Sequence, residues 1–130
     1  MGKRVIFLLA CFAFCAAVLL AQDVPVGVIV ALKKGSREGL TRYVGETMDL
    51  TIGSESGSKD RETALNEIAA FWETNKVEGF DVKHEGKRDE SSFIVGTLKT
   101  VNGNFRVNCF FRRVGNRYVI HQIRIDKTND

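Results

Sequence analysis

From Ser91 to Asp126 apolar and polar residues alternate in three runs, separated by Asn102-Gly103 and by Gly115-Asn116. Asn-Gly between two alternating runs is the strongest short-range hairpin signal, and Gly-Asn is another favoured two-residue connection. The spacing therefore predicts three consecutive antiparallel strands, and the rest of the chain has to cover one face of that meander.

Taking Asn102-Gly103 as a two-residue loop puts Val101 opposite Asn104, Leu98 opposite Val107, Gly96 opposite Cys109 and Ile94 opposite Phe111. Opposed residues share a face. Ile94, Leu98, Phe105, Val107, Cys109 and Phe111 then form an apolar face for helices to cover. Val95, Thr97, Lys99, Arg106, Asn108, Phe110 and Arg112 form the other.

The second hairpin leaves two registers open. With Gly115-Asn116 as a two-residue loop, Phe111 meets Ile120, Cys109 meets Gln122 and Val107 meets Arg124, so a glutamine and an arginine enter the hollow side. A buried guanidinium needs partners. A longer loop or a bulge slips the register by one residue. Val119, His121, Ile123 and Ile125 then point inward, and Gln122 and Arg124 are solvated. Turn chemistry favours the first register and the hydrophobic pattern the second. In the first, the outward face holds Phe93, Val95, Phe110, Ile123 and Ile125, too apolar a surface to stand in water. A second copy or a partner is expected to cover it.

The chain's 130 residues suffice for one domain. Lys3 and Arg4 precede an uncharged apolar run, Val5 to Leu20, and Ala21-Gln22-Asp23 returns the chain to polar sequence. That is the layout of a secretory signal peptide over residues 1–21, with a domain at 22–130 and an exported, periplasmic or secreted product. A membrane anchor is the alternative, although the run is short for a span of about 20 residues. The cut follows Ala21 or Ala17, and a lipid-modified Cys11 is a third arrangement. Without Lys3 and Arg4, the 19 Lys and Arg residues fall to 17 against 16 Asp and Glu. A near-neutral domain has no electrostatic case for nucleic acid. Once Cys11 and Cys15 leave, Cys109 stands alone, so the domain relies on its core rather than on disulfides.

Upstream of the meander, Val24 to Leu32 is rich in strand-favouring valine. Yet Pro25 suits a first helical turn, and Lys33-Lys34-Gly35 reads as a helix end. We read a helix there. Ser36 caps a short helix to about Val44, closed by Gly45. Met48, Leu50 and Ile52 alternate with Asp49 and Thr51 as a strand. Gly53 to Gly57 reads as a loop, and Ser58 as the cap of a long helix carrying the stripe Leu65, Ile68, Ala69 and Trp72. Phe80, Val82 and His84 form the inward side of a further strand, followed by a charged loop from Glu85 to Ser92.

This order, α-α-β-α-β-β-β-β, resembles the nuclear transport factor 2-like superfamily, the cystatin-like cone that includes ketosteroid isomerase and scytalone dehydratase. Ala31-Leu32-Lys33-Lys34-Gly35, Val95-Gly96-Thr97-Leu98, Asn102-Gly103-Asn104-Phe105-Arg106-Val107 and Gln122-Ile123-Arg124-Ile125 resemble, more narrowly, a family of small secreted bacterial proteins of unknown function. The resemblance implies an α+β fold in which a curved antiparallel sheet carries the N-terminal helices on its concave face. It supplies no activity. Enzymes of the wider superfamily place an acid-base group inside the cone, which requires a carboxylate in an apolar pocket facing oxyanion donors. Here the strand carboxylates Asp49, Asp81 and Glu85 alternate outward.

The sequence holds no Gly-rich phosphate loop, CxxC, HExxH or GxSxG, and two histidines make a poor metal site. No catalytic set, metal or cofactor is expected. The expected role is a non-enzymatic binding or interaction domain, with a homodimer through the outer sheet face. The alternative is a cone pocket for a small polar or anionic ligand. His84 at its mouth, Cys109 mid-strand, and Gln122 and Arg124 in the first register are the candidate lining residues. An enzyme using His84 or His121 ranks last.

Overall fold

The computed structural model describes residues 25–128, so the leader expected at 1–21 lies outside the described residues. The valine-rich run is helix α1, Val26–Lys34. Gly35 ends it in the left-handed region at φ 63°, and its N–H and that of Ser36 return to Leu32 and Ala31 carbonyls. Tertiary packing overrides the strand propensity, because Val28, Ala31 and Leu32 are buried on one side of the helix, which rests on the sheet. Helix α2 is Arg37–Thr41, with the Ser36 hydroxyl accepting from the Gly39 N–H at 3.0 Å. It ends earlier than expected because strand β1, Val44–Ile52, begins before Gly45.

Two stretches that read as loops are strands. Gly53-Ser54 turns the chain into β2, Glu55–Asp60, which pairs antiparallel with β1. The expected loop from Glu85 to Ser92 is the end of β3, Val77–Arg88, a two-residue Asp89-Glu90 turn, and the start of β4, Ser91–Thr100. Apart from the buried Ser92, both stretches are polar because they are largely exposed, not because they are unpaired. Between β2 and β3, helix α3, Arg61–Thr74, carries the chain from one edge of the sheet to the other. Strands β5, Gly103–Val114, and β6, Arg117–Lys127, complete a six-stranded sheet in the order β2-β1-β6-β5-β4-β3, with only β1 and β6 parallel.

The concave side is filled. Leu65, Ile68 and Trp72 of α3, with Val28 and Leu32 of α1 and Leu40 of α2, share one buried cluster with Leu98, Val107, Cys109 and Phe111 of the sheet. The expected helix stripe therefore meets the expected apolar face.

Asp60, rather than Ser58, caps α3, its carboxylate accepting from the Thr63 N–H at 2.8 Å. The Thr63 hydroxyl and that N–H hold the Asp60 carboxyl below its ordinary value of 3.8. A depressed folded-state pKa contributes stability that is complete above the unfolded value and is lost as pH falls through the folded one. Asp60→Asn is expected to keep the cap, since asparagine caps as well as aspartate, and to flatten part of the acid-side loss. Thermal melts of both proteins between neutral pH and pH below 3.8 check this.

Candidate functional site

Two β-bulges decide which side chains face which way. In β6, Phe111 pairs with Ile120, as the two-residue Gly115-Asn116 loop requires, but Phe110 pairs with Gln122. His121 is the extra residue, so His121 and Gln122 together oppose the outward Phe110. Beyond the bulge Ile123 pairs with Cys109 and Ile125 with Val107, both buried. The two registers left open by the sequence each hold on one side of His121. Gln122 and Arg124 accordingly stand on the outer face and do not line the hollow, and Ile123 and Ile125 point inward, not outward.

In β3, Val82 pairs with Gly96 but His84 pairs with Val95, with Lys83 as the extra residue. The expectation that His84 continues the inward side after Phe80 and Val82 is corrected by this bulge. His84 is exposed on the outer face beside Lys83. Of the four candidate lining residues, only Cys109 is inside. It is fully buried between Ile94 and Ile123, and burial pushes its thiol far above the ordinary range, which makes it a small inert core side chain.

The structure thus gathers His84, Gln122 and Arg124 onto one outer face, in two adjacent cross-strand rows. One row runs Phe93, Phe110, Gln122, Asp49; the next runs His84, Val95, Asn108, Arg124, Thr51. Neighbouring strands lie about 4.8 Å apart, so the apolar residues Phe93, Val95 and Phe110 occupy the middle, with His84 on one flank and the bulged His121 on the other. Phe93 covers Gly86, where a Cβ would come within 2.8 Å of its ring. Phe110 stays 37 % exposed. The Asn108 Oδ1 is shielded from solvent without a hydrogen-bond partner.

Around this centre the polar groups are ordered in pairs. Arg124 Nε donates to Asp126 Oδ2 at 2.8 Å, and Lys99 Nζ to Asp81 Oδ2 at 3.0 Å. That Lys99 hydrogen bond holds the Asp81 carboxyl below its usual value. A trough of about 620 Å³ runs along the same face, lined among others by Lys83, His84, Val95, Thr97, Arg106 and Asp126. Arg106 and Lys83 were legible from strand alternation. The outward turn of His84 was not, because a bulge depends on the neighbouring strand.

The β3 bulge also moves Glu85 from the expected outer side to the inner row, opposite Ile94. It is nonetheless exposed, as are Asp49 and Asp81, so none of these strand carboxylates has the apolar surroundings that raise a carboxyl into the range of a general base. Among the described residues no group of three or more His, Cys, Asp and Glu could hold a metal ion, and no helix is long and apolar enough to cross a membrane. The arrangement suits docking of a partly apolar surface, with charges of both signs at the rim.

Residues 26–126 match the family described as domain of unknown function DUF4783. A crystal structure of a DUF4783 family protein from Bacteroides ovatus is 52 % identical, with a TM-score of 0.81 over 85 % of this chain and 100 % of that one. One from Bacteroides fragilis is 62 % identical, with a TM-score of 0.78 over 82 % of this chain and 100 % of that one. An NTF2-like family protein from Streptomyces avermitilis, 12 % identical, has a TM-score of 0.59 over 81 % of this chain and 91 % of that one, a likeness of fold alone. No curated protein matches the chain.

Proposed function

Since the chain belongs to the DUF4783 family, a domain of unknown function on an NTF2-like fold, we propose that it is an exported, non-catalytic interaction domain that docks through the outer face of β3–β6, with a second copy as the occupant. The observation that carries this reading is the apolar centre Phe93, Val95 and Phe110, set in the middle strands of a sheet whose other face is already filled. Export is supported by Lys3-Arg4, the apolar run to Leu20 and the small residue Ala21.

The rim carboxylates Asp126 and Asp81 are already paired within the chain, with Arg124 and Lys99, so the apolar centre rather than charge drives self-pairing. Arg112 lies at one end of the face, beyond Phe110. Asp126, Arg106 and the Asp81–Lys99 pair lie at the other. A two-fold axis near Phe110 sets the Arg112 end of one copy over the Asp126 end of its mate, so the same patch serves both sides. Rim charges of this kind fix register more than they add affinity.

Sedimentation at micromolar concentration is expected to show a dimer, and Phe110→Glu to weaken it at least about tenfold by placing charge in the apolar centre. A wild-type monomer would refute the pairing. Recovery of the mature chain outside the cytoplasm, beginning at Gln22 or Val18, tests the export half.

A further inference from the structure

A second pocket lies away from the outer sheet face and is independent of the docking reading. Its lining is Pro25 at the start of α1, Arg42 and Tyr43 between α2 and β1, and Asn116, Arg117 and Tyr118 at the β5–β6 turn. It is an open depression of about 580 Å³, within the range of small-ligand sites. None of the six lining residues is acidic.

The fold brings these three segments together through the backbone. Ile120 N–H donates to the Tyr43 carbonyl at 2.7 Å, and Val44 pairs with Ile120 in the parallel β1–β6 ladder. The Arg117 side chain donates one bond, from Nη2 to the Arg42 carbonyl at 2.8 Å. That bond anchors the guanidinium and leaves its other donors available. The Arg42 guanidinium makes no hydrogen bond or ion pair among the described residues. Tyr43 and Tyr118 are half-buried. Tyr43 presses its hydroxyl against Gly27 so closely that a Cβ there would overlap it, which holds the phenol against the first turn of α1. The first turn of α1 carries no acidic residue to neutralise the site.

We propose that this pocket binds a small molecule bearing a phosphate or carboxylate group. Two arginines lining one pocket, with no acidic residue among the six that line it, offer the planar donor forks that such oxyanions accept. Two tyrosines add hydroxyl donors and flat walls for the body of the ligand. The residues stand at positions 42–43 and 116–118, so no local motif announces them.

The test is calorimetric titration of the mature chain with inorganic phosphate and, separately, with glutarate, at ionic strength fixed by chloride. Saturable binding of either probe is expected. Arg42→Gln and Arg117→Gln should each weaken it about tenfold or more, as loss of a charge-assisted bond implies, while Arg106→Gln on the outer face leaves it unchanged. Tyr43→Phe, which removes one hydroxyl and little volume, should weaken it less and keeps the test open if an arginine variant fails to fold. A response to phosphate alone identifies a phosphate ester, and to glutarate alone a carboxylate. Silence from both probes, or an equal loss in Arg106→Gln, overturns the proposal.

Discussion

Phe111→Ala is expected to cost the domain about 3–5 kcal/mol, the range for emptying a buried phenylalanine site. Phe111 is 1 % exposed on the concave face, paired with Ser92 on one side and Ile120 on the other. Its ring sits in the middle of the filled hollow, where the helices above and the strands beside it cannot all close on the space. A domain of this size is stable by about 5–15 kcal/mol, so a large share is lost. Phe110, the next residue, points the other way and is 37 % exposed. Phe110→Ala is expected to stay within about 0.5 kcal/mol of wild type, measured at concentrations too low for self-association. Urea unfolding with an unchanged m-value reads both variants. Equal losses at the two positions would mean that the face assignment of β5 is wrong.

That face assignment was readable in advance, and the reason is the two-residue period of a strand. The first hairpin turns at Val101-Asn102, one residue earlier than Asn102-Gly103. Asn102 lacks the positive φ that a type I′ turn needs at both central residues, and Gly103 takes φ 108° instead, at the strand start. Thr100 sets this geometry by accepting from the Asn102 N–H and donating to the Gly103 carbonyl. Leu98 consequently meets Phe105 instead of Val107. The pairing moves by two residues, and a shift of two returns every side chain to the face it had. Ile94, Leu98, Val107 and Cys109 are therefore inside under either turn.

What the sequence could not disclose are the odd shifts. At His121 and at Lys83 a single extra residue reverses the alternation, and nothing in the composition of either strand marks the spot. The need for a bulge in β6 showed as a conflict between Gly115-Asn116, which fixes Phe111 opposite Ile120, and Ile123 and Ile125, which need burial. Neither demand yields; the bulge between them satisfies both. For β3 no such conflict was visible, because His84 is tolerable on either face. Strand β2 was hidden for a different reason. Its residues are mostly exposed on an edge strand, and only its ladder with β1, from Thr47 opposite Asp60 to Ile52 opposite Glu55, makes it a strand at all. The oxyanion pocket is the extreme case, assembled from three segments that share no sequence neighbourhood.

Gly96→Ala is expected to destabilise the domain by about 1–3 kcal/mol, the cost of forcing an extra carbon into a packed interior, and Gly96→Val by more. Gly96 lies mid-strand in β4, between Val82 of β3 and Val107 of β5. A Cβ there would lie 2.5 Å from the Asp81 carbonyl oxygen and 2.6 Å from Phe80 Cζ. Phe80 is 3 % exposed, so its ring has no room to swing aside. The carbonyl belongs to the neighbouring strand, which the ladder holds in place, so relief requires β3 to move away from β4 just where the Lys83 bulge begins. The Phe80 ring in turn owes its seat to the missing side chain, a large aromatic covering a strand glycine on the adjacent strand. The two positions are therefore coupled, and a double-mutant cycle reads the coupling. Phe80→Leu frees space above residue 96, so alanine at 96 should cost less in the Phe80→Leu background than in wild type. Additive losses would show that the carbonyl contact alone, and not the ring, sets the cost.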